Sequence, residues 1–350
     1  MNESTMKELM NRIETENIPM NVAFEVTYKC NLHCVHCYQE SQAEADLTTD
    51  EIKFIIGQLA DESCMNLVIT GGEPFTRTDI FDIAEYAIAK GFLLTFLTNG
   101  TLIDKHIVLW IKALRRADLQ ISLYGTTAEK HDTITQCSGS YERTIETVRL
   151  LHQEGIPFHV KTPVLSLNIH EIRDIIEFCH KLGIKHYHDP MLIPTTKRNK
   201  RPLKYRLSDE DLRAYLEMDL TDVRRRKDIW RHWINQIDKM TAYKAGMCGA
   251  GRRLACISAS GRVYPCNSLR LEAGNLRLAD FHSIWHESPL LKKLRSLTGA
   301  EFAQCNKCRF MLLCERCPGQ AYLEHGDMLK PPIEYCRFNQ MIYDVITSEG

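Results

Sequence analysis

The residues of this 350-residue chain that could do chemistry are its 14 cysteines. Cys30, Cys34 and Cys37 form a C-x3-C-x2-C run, Cys30-Asn-Leu-His-Cys34-Val-His-Cys37-Tyr38. Three thiolates can bind three irons of a [4Fe–4S] cube, which normally takes four cysteines. The fourth iron then keeps an open coordination position, and open metal sites do chemistry while closed ones are structural. A zinc ion completed by His33 or His36 is the alternative for the run alone. Gly71-Gly72-Glu73-Pro74 follows one strand later. Paired glycines let backbone approach a ligand closely. Glu73 and nearby carbonyls can accept hydrogen bonds from an ammonium group. Eight more cysteines crowd the C-terminal third: Cys248, Cys256, Cys266, Cys305, Cys308, Cys314, Cys317 and Cys336. Cys64, Cys137 and Cys179 stand alone and read as structural, since free cysteine packs as a small hydrophobe.

These residues need a frame. Residues 21–195 alternate short β-branched or aromatic runs with helical patterns. The strand candidates are Val22–Thr27, Leu67–Thr70, Leu93–Thr98, Leu119–Leu123, Phe158–Val164 and Tyr187–Ile193. Helical stretches lie between them at Thr49–Ala60, Ile80–Lys90, Asp104–Leu114, Tyr141–Gln153 and Ile169–Leu182. Thr49, Thr78 with Asp79, and Ser140 read as helix starts. Strand–helix alternation implies a parallel sheet with right-handed crossovers. Six units are too few for a closed eight-fold barrel. The expected fold is α/β, a partial (β/α)6 barrel with its site at the C-terminal strand ends. Both the cysteine run and Gly71–Pro74 fall at such ends.

The pair CNLHCVHCY and GGEP resembles the radical S-adenosylmethionine (SAM) enzymes. The resemblance covers residues 20–195. It implies that the methionine amino and carboxylate groups of SAM chelate the open iron. Gly71, Gly72 and Glu73 would bind the amino group, and His36 would lie beside the adenine. Asn99, in Thr98-Asn99-Gly100, and Ser122, in Ser122-Leu-Tyr-Gly125, would contact the methionine or ribose. Lys161 could pair with the methionine carboxylate or sit at the barrel rim. Reduction of the cluster would cleave the sulfonium to a 5′-deoxyadenosyl radical that takes a hydrogen atom from substrate.

The C-terminal array resembles the SPASM extension of many such enzymes over residues 248–340. It contains Gly261-Arg-Val-Tyr-Pro-Cys266, then Cys305-x2-Cys308-x5-Cys314-x2-Cys317, and Cys336 after 18 residues. The gap before Cys317 is two residues where the extension has three. By resemblance Cys305, Cys308, Cys314 and Cys336 hold a remote auxiliary [4Fe–4S] cluster, and Cys248, Cys266 and Cys317 a nearer one. Ile257–Ser260 and Arg262–Pro265 read as a hairpin. A three-residue turn there would set Cys256 opposite Cys266, where it could be the fourth ligand; a two-residue turn would offset them and leave Cys256 a buried strand cysteine. Structural zinc is the alternative for the array. Residues 1–20 form an N-terminal extension, 196–247 a helical linker and 341–350 a tail.

Substrate class is read from resemblance and charge. SLYGTTAEKHDTITQCSGSYERTIETV and CPGQAYLEHGD look most like the peptide maturases of the pyrroloquinoline quinone and mycofactocin group. The expected substrate is therefore a ribosomally made precursor peptide, modified oxidatively. Tetrapyrrole side-chain modification is the alternative, followed by sulfatase maturation and a non-enzymatic metal-bearing module. Sulfatase maturases carry an aspartate after the Gly-x4-Cys cysteine, where this chain has Asn267. Only about 20 residues precede the first strand, too few for a leader-binding winged-helix domain. A separate small recognition protein would then be needed, with a flavodoxin or ferredoxin as electron donor. The basic residues from Lys197 to Arg206 could meet an acidic leader or tetrapyrrole carboxylates. Net charge is −1, which argues against nucleic-acid and membrane partners. The cytoplasm is the expected compartment, since there is no export signal and thiolate-bound clusters need reducing conditions. No acid–base residue identifies itself.

Overall fold

The computed structural model describes residues 3–348 apart from 41–43, 223–227, 229, 233, 235–247 and 311–313. The basic run Arg224 to Lys227 in the linker lies outside the described residues.

After helix α1 (Glu3–Glu16) the chain alternates strand with helix, with two helices between the fourth and fifth strands. The units are β1 (Asn21–Thr27), α2 (Thr49–Asp61), β2 (Asn66–Gly71), α3 (Ile80–Ala89), β3 (Leu93–Thr98) and α4 (Lys105–Leu114). There follow β4 (Ala117–Ser122), α5 (Ala128–Thr135), α6 (Ser140–Gln153), β5 (Phe158–Pro163), α7 (Ile172–Lys181), β6 (Lys185–Asp189) and α8 (Asp209–Asp222). The C-terminal part contains β7 (Leu254–Ile257), β8 (Arg262–Tyr264), β9 (Gly274–Asn275), α9 (Phe281–Glu287), α10 (Pro289–Ser296), α11 (Pro318–His325) and α12 (Ile333–Thr347).

Strands β1 to β6 pair in parallel, each with its successor. The sheet order is β6-β5-β4-β3-β2-β1-β7-β8-β9, an unclosed partial barrel. Helices cover its outer face: α2 buries Ile52, Ile55, Ile56 and Leu59, the spacing of one apolar stripe. β1 is buried almost throughout, as a central strand covered on both faces must be.

The C-terminal domain is joined to the barrel by hydrogen bonds. β7 adds to β1 in parallel, Val22 opposite Ala255 and Ala23 opposite Cys256, and β8 and β9 continue the sheet antiparallel. The basic stretch of the linker is partly consumed here. Arg206 pairs with Glu324 at 2.8 Å and Glu334 at 3.4 Å, and the Arg198 guanidinium lies 5.7 Å from the Tyr322 ring centroid. Both Glu324 and Glu334 are buried, so this contact fixes the linker to α11 and α12.

Several boundaries differ from the sequence reading. The cap of α2 is Thr48, not Thr49: its hydroxyl accepts from Glu51 N while the Glu51 side chain accepts from Thr48 N. Ser140 begins α6 but does not cap it; its hydroxyl donates to Asp132. The last barrel strand runs Lys185–Asp189 rather than Tyr187–Ile193, because Pro190 ends the ladder. α5 and α1 were not anticipated. Cys64 and Cys179 are buried, but Cys137 is half-exposed and sits beside Arg143.

Candidate active site

The loop bearing Cys30, Cys34 and Cys37 leaves the C-terminal end of β1. Gly72 N donates to Thr27 O and Glu73 N to Lys29 O, each at 2.8 Å. A Cβ on Gly71 would lie 2.3 Å from Thr27 O, and one on Gly72 2.1 Å from Lys29 O. What approaches these glycines closely is the backbone just before Cys30. The pair sets the height of the cysteine loop above the sheet.

Glu73 is buried, 1% exposed. Its carboxylate accepts from Thr98 Oγ1 at 2.7 Å, Asn99 N at 2.8 Å and Phe75 N at 3.2 Å. Burial pushes its pKa up to about 7 against those donors. No basic side chain among the described residues pairs with it. A carboxylate so held lacks only a cation, and an ammonium group supplies one. A raised carboxyl pKa means that the folded state binds more protons than the unfolded one above the ordinary value. Stability from this group is therefore lost as pH rises towards 7, and a bound ammonium restores it. SAM affinity of the cluster-loaded protein should then tighten between about pH 5.5 and about pH 7.5, and Glu73→Gln should flatten the profile. Isothermal titration across that range checks this; an unchanged slope in the variant contradicts it.

The three thiols act on one another electrostatically. The Cys34 thiol is pushed up to about 12, first by burial and then by Cys37 and Cys30. Three ionised thiols in one loop repel one another unless a cation takes all three, which fits an iron cluster. Burial and then the Cys34 thiol push the Tyr124 hydroxyl well above its ordinary range. His36 lies edge-on to Tyr124, ring centroids 4.9 Å apart. Burial lowers its pKa to about 4, so the ring is neutral, and its Nδ1 is buried without a partner among the described residues. An orphaned acceptor or donor beside the cysteine loop fits a polar ligand there. The Asn99 side chain is spent inside the protein. It donates to Asn31 Oδ1 at 2.9 Å and accepts from Thr101 N at 2.9 Å, tying the end of β3 to the cysteine loop.

The C-terminal cysteines fall into two groups by their mutual effects. The Cys314 thiol is pushed up to about 12 by burial and then by Cys336, Cys305 and Cys308. The Cys266 thiol is likewise pushed up to about 12 by burial, then by Cys317 and Cys248. Each group could hold one cluster. Cys317 caps α11, accepting from Gln320 N at 3.3 Å, and helix N-termini favour thiolate.

Cys256 stands differently. The expected hairpin register is off by two residues: Cys256 lies opposite Tyr264, and Ile257 opposite Val263. The turn runs through Ser258–Arg262, with Gly261 N donating to Ser258 O at 2.9 Å. Cys256 is fully buried; burial and then the Glu25 carboxylate push its thiol well up. Cys266 lies two residues beyond Tyr264, past the end of β8.

A cavity of about 700 Å³ joins the two halves. His36 and Ser122 line it on the barrel side, Ser268, Cys317 and Tyr335 on the C-terminal side. Lys161 enters from β5, with His188 and Asp189 from β6. Burial lowers the Lys161 pKa, and Asp189 opposes that. Sequence reasoning did not single out the histidines and Asp189 of β6. Their signal was a strand, KHYHD, whose residues are polar where a barrel strand is normally aliphatic.

The sequence matches the Radical SAM superfamily over residues 24–179 and the SPASM iron–sulfur cluster-binding domain over residues 248–318. It is 32% identical to an AdoMet-dependent heme synthase of Methanosarcina barkeri across 346 residues, covering 93% of this chain and 98% of that protein. It is 30% identical over 308 residues to the antilisterial bacteriocin subtilosin biosynthesis protein AlbA of Bacillus subtilis, covering 86% of this chain and 67% of that one. Among solved structures, Streptococcus suis SuiB bound to the precursor peptide SuiA superposes with a TM-score of 0.71 at 17% identity, covering 95% of this chain and 80% of that one.

Proposed function

The chain belongs to the radical SAM superfamily and carries a SPASM domain, and from this premise we propose that it modifies a carboxylate side chain of an iron tetrapyrrole. The observation that carries the reading is end-to-end similarity to a protein named AdoMet-dependent heme synthase, 98% of which is covered. The site supports it. The cavity presents Lys161 and imidazoles to an anionic guest, with Asp189 as the one carboxylate among the described lining residues.

When bound, SAM and the reduced cluster on Cys30, Cys34 and Cys37 supply a hydrogen-abstracting radical, and clusters on the C-terminal cysteines supply an electron acceptor. The chain's own residues position the partners. Glu73 takes the SAM ammonium, and His36 and Ser122 line the space beside it. Lys161 holds a propionate carboxylate of the tetrapyrrole. Conversion of that propionate to vinyl removes a hydrogen atom from the ring-attached methylene, then carbon dioxide and one electron. This is the oxidative step that a heme-forming enzyme with this machinery would require. Cys248, Cys266 and Cys317 would hold the nearer auxiliary cluster, with Cys317 opening onto the cavity. Cys305, Cys308, Cys314 and Cys336 would hold the remote one. A flavodoxin or ferredoxin would deliver the electron.

The charge on Lys161 has a measurable consequence. Losing a charge-assisted hydrogen bond costs about 1.5–3 kcal/mol, or roughly tenfold to a hundredfold in KM for the porphyrin. Lys161→Met should show that rise while SAM binding stays unchanged. A fall in SAM affinity instead would place Lys161 on the methionine carboxylate.

A precursor peptide is the second reading, favoured by the 30% identity to AlbA. Product mass separates the two. Anaerobic enzyme given SAM, dithionite and an iron porphyrin bearing propionates should yield porphyrin that has lost carbon dioxide and two hydrogens per side chain. Porphyrin unchanged, with a peptide losing hydrogens instead, would overturn the first reading.

A further inference from the structure

Away from the cavity, Glu62, His282 and His286 converge on one point across the join between the two domains. Glu62 follows the last turn of α2, and the two histidines lie four residues apart on α9. His282 Nδ1 is 2.6 Å from Glu62 Oε1, and His286 Nε2 is 2.8 Å from Glu62 Oε2. One ligand atom from each residue lies within 4.8 Å of the others. We propose that Glu62, His282 and His286 form a divalent-cation site, of the zinc class, that staples the barrel to the C-terminal domain.

Three features carry this. The donor set is two imidazoles and one carboxylate, which suits zinc and its borderline neighbours rather than magnesium or calcium. The histidines use different ring nitrogens, and that lets an i, i+4 pair meet at one point; their ring centroids are 4.7 Å apart. The scaffold beneath them is fixed. Phe281, Ile284 and Trp285 bury the opposite face of α9, and Trp285 Nε1 donates to Asn17 O at 2.6 Å. The start of α9 is also clamped to α2, since Phe281 N donates to Gln58 Oε1. Ligands on a locked helix lose little entropy when an ion arrives. His282 is two-thirds exposed, so the ion has a path in and room for water in the remaining positions.

Zinc is bound by neutral imidazole and ionised carboxylate, so it replaces the protons that now hold the three groups together. The site is independent of the cavity and of all the cysteines named above, so its failure would leave the proposed reaction untouched.

The test uses the full chain with its clusters reconstituted. The protein is dialysed anaerobically against Zn²⁺, then zinc and iron are counted by mass spectrometry and Tm is measured. Wild type should hold one zinc more than His282→Ala or His286→Ala, with equal iron in all three. Glu62→Gln, which keeps a hydrogen-bonding oxygen and nitrogen, should weaken zinc binding by about tenfold or more. Zinc should raise the Tm of wild type and leave the variants unmoved. Equal zinc in wild type and variants, or zinc bound without any rise in the wild-type Tm, overturns the proposal.

Discussion

Replacing Cys30, Cys34 and Cys37 together with alanine should remove about four irons per chain and abolish 5′-deoxyadenosine formation. The three thiols lie in one loop, and Cys34 feels Cys37 and Cys30 directly. No other described cysteine acts on them in that way. The two C-terminal groups should keep their irons, so about twelve falls to about eight. A larger loss would mean that the loop also holds the C-terminal domain together. A smaller loss, or surviving SAM cleavage, would remove the loop from the chemistry. A starting content of only about four irons would leave the C-terminal cysteines to zinc, and the electron acceptor in the proposed reaction would be gone.

The largest stability effect is expected at Glu25. Its carboxylate, 1% exposed, pairs with the Arg270 guanidinium, 7% exposed, through both oxygens. Arg270 also lies over the Tyr264 ring, and its Nε donates to Asn267 O at 2.7 Å. The pair therefore joins central strand β1 to the loop that follows Cys266. Glu25→Ala leaves a guanidinium buried without its carboxylate, which costs about 3–5 kcal/mol. Glu25→Leu with Arg270→Met removes both charges and should regain most of that, because a buried pair exchanged for apolar side chains is often neutral. Urea denaturation of the three proteins gives the comparison. A Glu25→Ala variant as stable as wild type would show that Arg270 finds water or another acceptor. The double variant should also keep its iron, since neither residue is a thiolate.

Much of the frame is legible in the sequence because its signals are local. Leu93–Thr98 reads as a strand from its own residues and is one. The same holds for the stripe on α2. The errors are physical in kind. α5, AEKHDTIT, has a weak apolar face, and its stability comes from packing against α6 and from the Thr127 cap. Thr48 and Thr49 are equally good caps by type, and only the reciprocal bonds with Glu51 decide between them. The hairpin register depends on where the turn closes, and one residue of shift in the turn centre moved the partner of Cys256 from Cys266 to Tyr264.

The site divides the same way. The cysteine loop and Gly71–Glu73 announce themselves by spacing. Their packing does not: Gly71 and Gly72 meet the backbone of residues 27–29, and the Asn99 side chain bonds Asn31. Lys161 was visible as a charge inside an apolar strand. The cavity it enters was not, since its walls come from β4, β5, β6 and residues more than a hundred positions further on. Glu62 and His282 are 220 residues apart, and nothing in either neighbourhood marks the other. Pairing of β7 with β1 is of this long-range kind too, and it makes one sheet of two domains.

An iron porphyrin deuterated at the ring-attached methylenes of its propionates is incubated anaerobically with the reconstituted enzyme, SAM and dithionite. The 5′-deoxyadenosine is then weighed by mass spectrometry. Deuterium is expected in 5′-deoxyadenosine, in step with vinyl formation. Unlabelled 5′-deoxyadenosine beside unchanged porphyrin would contradict it.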